Sequence, residues 1–496
     1  MTWCTRAACR SQLTVIIDWI TKDLVAEHIL FLTGKLAGKS LKQVLESIQP
    51  AGFTYEIVNI GLSVAALMTA EMIHRRLHDP RGADRILVPG LCTGDLEIPA
   101  QRLGVPIVRG PKDLKDLPAF FGQGGKPPDL SRYDIRIFAE IVEAPYMDVE
   151  AILHQASLYK ADGADVIDVG CIPGVAFPHL HETVVALIEH GYQVSIDSLE
   201  PEDLVCGSKA GAQYLLSFKE STLWIAEEVE STPVLIPEQP GDMESLYRAI
   251  EALQRENRRF IADPILDPIH FGFTASIGRY QELRRRYPAI AIMMGTGNLS
   301  ELTDADTAGM HALMAGIMSE LHITHLLTTQ VSLHARSAVR ELDMARRIMF
   351  AAREDNRLPR GYDGSLMVTH ERKPFPYTAA EIAETAAQIR DPSYRIQVSN
   401  TGLHVYNREG MHTATDPFDL FPQLGLLQND APHAFYLGVE LARAQIAWQL
   451  GKRYVQDEEL NWGCAYRNPA PTDPGQIHAY KGEGTTLQAK KKKKPL

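Results

Sequence analysis

The stretch GADVIDVG at residues 163–170 is the strongest local indication of how this chain folds. After Asp165 it continues as a short apolar run, 166–169, that is interrupted by one carboxylate, Asp168. Burying a charge at the end of an apolar strand is costly unless something pairs with it. The pattern is therefore typical of a strand whose carboxyl end carries a functional side chain.

Similar short apolar runs recur along the middle of the chain, with helical segments between most of them. The eight runs are 135–141, 166–169, 193–196, 214–216, 234–236, 260–262, 290–294 and 325–328. Eight β-α units in about 220 residues are the expected content of one (β/α)8 barrel, whose site lies at the carboxyl ends of its strands. The sequence predicts such a barrel, of the TIM type, over residues 133–352.

The segments on either side of the barrel have different patterns. Residues 24–125 alternate strand-like and helix-like stretches, which predicts a small doubly wound α/β domain with a parallel sheet. Residues 360–470 contain a probable hairpin around Ser399-Asn400-Thr401 and an amphipathic helix, which predicts a small α+β domain. The end of the chain, 482–496, includes five adjacent lysines and is predicted to be a disordered basic tail, because like charges repel.

The composition of the chain limits the classes of binding partner that can be expected. The formal net charge of −12 argues against a nucleic-acid partner. No run of 18 apolar residues exists, so no transmembrane helix is predicted and no membrane partner is expected. The six cysteines are far apart and show no CxxC spacing. Together these features predict a cytoplasmic protein.

Four acidic residues follow apolar strands of the predicted barrel: Glu140, Asp168, Asp197 and Asp263. Any one of them is equally well explained as a structural cap for the next helix. Four at the same end of one barrel favour a functional site in the opening at the carboxyl ends of the strands, which we call the mouth of the barrel. Asp168, Asp197 and Asp263 are the catalytic candidates. Carboxylates suit a metal or an amine, and they also suit a pterin, whose 2-amino group and N3–H form a donor pair.

The order of the motifs resembles that of the pterin-binding barrel of dihydropteroate synthases. GADVIDVG is followed by Ser-Ile-Asp at 195–197, by Ala-Gly-Ala at 210–212 and by Asp-Pro pairs ahead of Gly272-Phe273. The resemblance implies that Asp197 and either Asp263 or Asp267 bind the pterin. Asp263 ends its strand and is favoured, whereas Asp267 has the family's spacing to Gly272-Phe273.

The chain also departs from that family. Ser217 is a weak substitute for the family's Asn after the fourth strand. Gly295-Thr296-Gly297-Asn298 replaces the lysine-containing motif after the seventh strand, and Arg-x-His after the eighth is missing. Asn298 is taken as a substrate-binding candidate. The wider combination resembles the long dihydropteroate synthase-related proteins of methanogens and of methylotrophs that use tetrahydromethanopterin.

That resemblance implies a transferase of tetrahydromethanopterin biosynthesis. It would condense a dihydropterin diphosphate with a phosphorylated arylamine, ribofuranosyl-aminobenzene phosphate, and release diphosphate. A leaving diphosphate usually needs Mg²⁺, for which Glu140 and Glu143 are the candidate ligands. Two alternatives stay open, a pterin-dependent methyltransferase and a non-catalytic pterin-binding protein, and a homodimer is compatible with each.

Two arginines beyond the eighth strand are candidates for holding a phosphate. Arg336 and Arg340 are four residues apart, which is one turn on the same face of a helix. A guanidinium meets phosphate with charge-assisted hydrogen bonds. The alternative is an ordinary helix surface, on which the two arginines pair with Glu341 or Asp343.

Overall fold

The structure is a computed structural model that describes residues 27–48, 52–122, 128–424 and 430–466. The predicted basic tail at 482–496 lies outside the described residues. The chain divides into two compact units, 1–127 and 128–496, so the barrel and the C-terminal sheet share one unit. The domain boundaries named above stay predictions.

The first unit is built on a four-stranded parallel sheet. Its strands are β1 (Glu27–Thr33), β2 (Phe53–Asn59), β3 (Arg85–Val88) and β4 (Ile107–Arg109), in the order β2-β1-β3-β4. Its helices are α1 (Gly38–Ser47), α2 (Ala70–Arg76), α3 (Glu97–Leu103) and α4 (Leu117–Phe120). Alternate residues of β1 belong to different apolar clusters, Ile29 to one and Leu30 to the other. Both faces of the sheet are therefore covered, as in a doubly wound fold.

The second unit contains a closed, eight-stranded parallel barrel. Its strands are β5 (Arg136–Ile141), β6 (Val166–Gly170), β7 (Gln193–Asp197), β8 (Tyr214–Phe218), β9 (Thr232–Leu235), β10 (Ile261–Ala262), β11 (Ala291–Gly295) and β12 (His325–Thr328). Each strand pairs with the next, and β12 pairs with β5 to close the circle. All eight predicted strands are present, and the predicted (β/α)8 fold is confirmed.

Helices surround the barrel and return the chain from the carboxyl end of one strand to the start of the next. They are α5 (Val149–Asp162), α6 (Leu180–Glu189), α7 (Pro201–Lys209), α8 (Ile225–Glu228), α9 (Met243–Arg255), α10 (Phe273–Arg286), α11 (Gly297–Ser300), α12 (Thr307–Glu320) and α13 (Ala338–Glu354). Their apolar faces pack on the outward-facing strand residues in one large cluster. This leaves the inward-facing residues to fill the interior.

One layer of the barrel interior is apolar and closes it below the mouth. It consists of Phe138, Val166, Leu216, Val234, Ile261 and Met293, all buried. Side chains along a strand alternate between faces, so residues two positions further on also point inward. That next layer contains Glu140 on β5, Asp168 on β6 and Asp263 directly after β10.

The C-terminal part forms a three-stranded antiparallel sheet with helices. Its elements are β13 (Arg395–Ser399), β14 (Gly402–Asn407), β15 (Gly410–Ala414), α14 (Ala379–Gln388), α15 (Pro417–Leu420) and α16 (Ala431–Leu450). The hairpin between β13 and β14 and the helix α16 agree with the predicted α+β fold. No helix within the described residues is long and apolar enough to span a bilayer.

Candidate active site

Three carboxylates converge at the carboxyl ends of β5, β6 and β7. Glu140 lies opposite Asp168 across the β5–β6 pair, and Asp197 lies opposite Gly170 across the β6–β7 pair. One oxygen from each carboxylate lies within 4.8 Å of the other two. We call Glu140, Asp168 and Asp197 the carboxylate cluster.

Gly170 provides the room that the carboxylate cluster needs. A Cβ atom on Gly170 would lie 2.7 Å from Oε1 of Glu140, which is closer than real Cβ contacts allow. Glycine at the end of β6 therefore lets the Glu140 side chain turn toward its two neighbours. The final glycine of GADVIDVG is therefore explained by the space that the Glu140 side chain needs.

Asp168 is fully buried, and only one of its two oxygens has a hydrogen-bond partner. Its Oδ1 accepts a hydrogen bond from the Ser195 hydroxyl on the neighbouring strand. Its Oδ2 is buried without any partner among the described residues. A buried carboxylate oxygen without a donor is costly. It therefore needs a proton, a ligand donor or a cation.

Burial raises the pKa of all three carboxyls. The pKa of Glu140 rises from 4.5 to about 8, through burial first and the charge of Asp197 second. Burial raises the pKa of Asp197 from 3.8 to about 6, and that of Asp168 lies well above its usual value. At neutral pH the cluster therefore retains at least one proton unless something positive binds there.

A hard divalent cation fits the carboxylate cluster. Such an ion takes oxygen ligands, at about 2.0–2.1 Å for Mg²⁺, so oxygens on opposite sides of it lie roughly 4–5 Å apart. The 4.8 Å limit on the cluster's oxygens and the unpaired Oδ2 of Asp168 both meet that requirement. Of the two predicted metal ligands, Glu140 belongs to this cluster, whereas Glu143 is an exposed residue outside it.

The fourth acid of the layer, Asp263, is held differently. Its Oδ1 accepts hydrogen bonds from the Tyr280 hydroxyl at 2.7 Å and from the Ile265 amide at 2.8 Å. Burial raises its pKa to about 6, and these hydrogen bonds work against that rise. Asp263 is therefore a fixed carboxylate on the far side of β8 and β9 from Asp197.

Asp267, the competing candidate, is engaged in supporting its own loop. Its Oδ2 lies 2.7 Å from Nη2 of Arg279. The same guanidinium donates to the carbonyl oxygens of Pro264 and Ile265, at 3.1 and 2.7 Å. Asp267 thus fixes the turn that follows β10, and Asp263 is the acid that lies in the interior layer.

This difference gives a test with paired variants. Asp267→Ala is expected to lower the free energy of unfolding by about 1–3 kcal/mol, because it leaves the half-buried Arg279 without its carboxylate. Asp263→Asn keeps an acceptor for Tyr280 and is expected to change stability little but to weaken ligand binding. Thermal melting and ligand titration of both variants separate the two roles, and the reverse outcome would exchange them.

The remaining predicted ligands, Ser217 and Asn298, are not part of the carboxylate cluster. The Ser217 amide donates to the Ser198 carbonyl at 3.2 Å, next to the end of β7. The Asn298 side-chain amide donates to the Leu266 carbonyl at 2.8 Å, so it links the loops after β10 and β11. Ser217 therefore borders the mouth beside Asp197, and Asn298 already has a structural partner.

Arg336 and Arg340 are not arranged as one phosphate-binding site. Helix α13 begins at Ala338 with Ser337 as its N-cap, so the exposed Arg336 precedes the helix. Arg340 Nε lies 3.2 Å from Oδ1 of Asp162, the last residue of α5. That helix ends where the chain enters β6, opposite the mouth. The partner of Arg340 is therefore neither Glu341 nor Asp343.

Sequence reasoning did not single out Ser195, Arg279 or Tyr280, which position the acids. Ser195 could have been found, because it lies two residues before Asp197 on the same strand face. Arg279 and Tyr280 follow Asp263 by 16 and 17 residues on helix α10, and no local pattern links them to it.

Fold and site together define a (β/α)8 barrel protein with an acidic mouth. A family model described as a family of unknown function, DUF6513, matches residues 27–112, within the first unit. The chain is 25% identical over 528 aligned positions to the uncharacterized protein MJ0107 of Methanocaldococcus jannaschii, covering 87% of this chain and 98% of that protein.

Solved dihydropteroate synthases are also similar to part of the chain. The enzyme from Vibrio fischeri is 18% identical, with a TM-score of 0.36, covering 45% of this chain and 94% of that one. The enzyme from Anaplasma phagocytophilum, solved with bound 6-hydroxymethylpterin-monophosphate, is 18% identical with a TM-score of 0.34, covering 44% and 98%.

Proposed function

We propose that the barrel is a transferase that joins a dihydropterin-methyl diphosphate to an arylamine with loss of diphosphate. The observation that carries the proposal is the layer of inward-facing acids at the mouth, Glu140, Asp168, Asp197 and Asp263. Their order along the chain is also the order on which the resemblance to dihydropteroate synthases rests.

The pterin ring is matched by the acids on either side of β8 and β9. Its 2-amino group and N3–H are donors on one edge of the ring, and carboxylates are acceptors. Asp197 faces the mouth from β7 and Asp263 from β10. One oxygen of Asp197 belongs to the carboxylate cluster, which leaves its other oxygen for the ring edge.

The reaction breaks one bond and forms another at the exocyclic methylene carbon of the pterin. The C–O bond breaks, and its electron pair leaves with the diphosphate. The lone pair of the aniline nitrogen forms the new C–N bond, and the proton that this nitrogen then carries in excess is lost to solvent. Carboxylates beside the ring stabilise the positive charge that develops on it.

Glu140, Asp168 and one oxygen of Asp197 are the residues that would hold Mg²⁺. When bound, the ion would supply positive charge for the leaving diphosphate. The protein itself binds the ring through Asp197 and Asp263, and it leaves Oδ2 of Asp168 without a donor among the described residues. Ser195 orients Asp168 for this purpose through the hydroxyl that it donates.

The acceptor that we propose is a phosphorylated arylamine, ribofuranosyl-aminobenzene phosphate, and the pathway is tetrahydromethanopterin biosynthesis. The resemblance to the long proteins of methanogens and methylotrophs supports this choice. The loss of the lysine and Arg-x-His motifs of the folate enzymes supports it too. Since Arg340 is paired with Asp162, Arg336 and Arg340 do not support it as a joint phosphate site.

The test is diphosphate release by the full chain, with Mg²⁺ and the dihydropterin diphosphate. Release is expected only when an arylamine is present, at one diphosphate per condensation product. In competition, the phosphorylated acceptor should be preferred over 4-aminobenzoate by at least about tenfold, which corresponds to 1.4 kcal/mol. Pterin binding without release would instead indicate a non-catalytic pterin-binding protein, and release without product would exclude condensation.

A further inference from the structure

The amino-terminal opening of the barrel, at the far end from the carboxylate cluster, contains a cavity. Its volume is about 370 Å³, and sites for small ligands have volumes of about 300–1,000 Å³. The residues that line it lie at or near the starts of strands β8 to β12, and they include Tyr214, Thr232, Ala291 and His325. We call this cavity the basal pocket. Residues at this end of such a barrel ordinarily serve stability, so an open pocket there needs its own explanation.

The wall of the basal pocket combines small and aromatic side chains. Side chains alternate between faces along a strand, so residues two positions before the apolar interior layer also point inward. On β11 this residue is Ala291, two positions before Met293, and its small side chain leaves room. On β8 and β12 the pocket is lined by Tyr214 and His325, whose ring centroids are 6.4 Å apart. The pocket therefore has an aromatic wall with space beside it.

Two arginines line the basal pocket. Arg258 and Arg259 lie between helix α9 and β10, and no aspartate or glutamate is among the eleven described residues that line the pocket. Nη2 of Arg258 donates to the Val229 carbonyl at 2.7 Å, which holds this side chain in place. Arg259 is exposed and forms no hydrogen bond or ion pair with the described residues. Its guanidinium is therefore available to a ligand.

A third arginine adds positive charge behind the aromatic wall. Nη1 of Arg136 donates to the Tyr214 hydroxyl at 2.6 Å, and Arg136 lies opposite His325 across the β12–β5 pair. Burial first, and the charge of Arg136 second, lower the pKa of His325 from 6.5 to about 4. The imidazole is therefore neutral at neutral pH, and the arginines carry the charge. Like charges gathered around one pocket repel each other, and a bound anion relieves that repulsion.

We propose that the basal pocket binds a small organic phosphate ester. The phosphate lies against Arg258 and Arg259, and the organic group lies beside the rings of Tyr214 and His325. Guanidinium groups match phosphate oxygens with paired, charge-assisted hydrogen bonds. A phosphate group alone would leave most of the pocket empty, whereas an apolar group packs well on an aromatic wall.

This site is separate from the mouth of the barrel. Arg136 and Glu140 belong to the same strand, β5, and lie four residues apart. At about 3.3 Å per residue, that places them roughly 13 Å apart along the strand. The apolar layer that includes Phe138 lies between these two levels. A ligand of the basal pocket therefore binds without entering the mouth, and the proposal does not depend on the transferase reaction.

The test is calorimetric titration of the full chain with phenyl phosphate and with inorganic phosphate, at constant ionic strength and without divalent cations. The wild type should bind phenyl phosphate at least about tenfold more tightly, because only the ester reaches the aromatic wall. Arg259→Ala should weaken phenyl phosphate by at least about tenfold, through loss of a charge-assisted contact. Because Arg259 is exposed, its replacement should leave the melting temperature unchanged.

A second variant tests the room in the pocket instead of its charge. Ala291→Leu places a larger apolar side chain where the organic group of the ester is expected. It should remove the preference for phenyl phosphate over inorganic phosphate and retain the arginine contacts. A melting curve of this variant shows whether the barrel is still folded. A folded Ala291→Leu protein that keeps the full preference would contradict the placement of the organic group.

Arg336→Ala is the matched control, because Arg336 is an exposed arginine that follows β12 at the opposite end of the barrel. It should bind both probes as the wild type does. The basal pocket is overturned as a site if the wild type does not bind phenyl phosphate, if Arg259→Ala binds it normally, or if Arg336→Ala loses as much affinity. Equal affinity of the wild type for both probes would overturn the ester as ligand and leave a site for free phosphate.

Discussion

Asp197→Asn is expected to weaken pterin binding by roughly 30- to 1000-fold, the equivalent of 2–4 kcal/mol. The substitution keeps the size of the side chain but removes its charge and places an amide donor among the ring's N–H groups. The wild-type and variant proteins are compared by titration with 6-hydroxymethylpterin, which measures binding without turnover.

The same substitution should not unfold the protein. Asp197 contributes charge to a buried cluster in which burial already raises the pKa of each carboxyl, so neutralising it removes repulsion. Melting temperatures of wild type and Asp197→Asn should therefore be similar, or higher for the variant. Glu202→Gln, an exposed acid on helix α7, is the control and should bind pterin normally. Near-wild-type pterin affinity of Asp197→Asn would remove Asp197 from the site.

The stability of the barrel is expected to fall as pH rises from about 5 to 8 when no divalent cation is present. The folded-state pKa of Glu140 is about 8, above its ordinary value of 4.5. The folded state therefore binds more protons across this range than the unfolded state does. The stability that this provides is complete below the unfolded pKa and is lost as pH rises through the folded pKa.

Between pH 5 and 8 the loss for Glu140 alone should be on the order of 3 kcal/mol, since each pH unit between the two pKa values corresponds to about 1.4 kcal/mol and the change is incomplete near each of them. A divalent cation should restore stability at pH 8.5. At a hundredfold excess over its dissociation constant, it should raise the free energy of unfolding by about 2.7 kcal/mol. Glu140→Gln should flatten the pH dependence and reduce the response to the cation. Thermal melting with Mg²⁺ or Mn²⁺, and with chelator, measures both effects.

The control for Glu140→Gln is Glu143→Gln, since Glu143 lies three residues away but is exposed. It should retain both the pH dependence and the response to the cation. A wild-type protein whose stability is flat between pH 5 and 8.5 and unaffected by the cation would contradict the view of the cluster as three repelling carboxylates.

The barrel could be predicted from sequence because its evidence is local. Each strand is a short apolar run, and the pattern of such runs is visible without knowing what they contact. The strand β15 (Gly410–Ala414) was missed for the converse reason: it is an edge strand with no buried residue. Its place depends on β14, with which it pairs.

The candidate site could be predicted only in part. Glu140, Asp168, Asp197 and Asp263 could be named as candidates because they interrupt or follow apolar runs. The prediction of one arginine face failed because it assumed a helix through Arg336, whereas α13 begins two residues later. The pairing of Arg340 with Asp162 joins residues far apart in sequence, and no spacing rule indicates it.

The most direct test of the central claim is a crystal structure of the protein with the dihydropterin diphosphate and Mg²⁺. We expect the pterin ring in the mouth of the barrel, with its amino edge against Asp197 and Asp263 and its diphosphate beside the ion. The ion should lie at Glu140 and Asp168. A pterin bound elsewhere on the chain, or a mouth that stays empty at saturating ligand, would contradict the assignment of this barrel as a pterin-binding transferase.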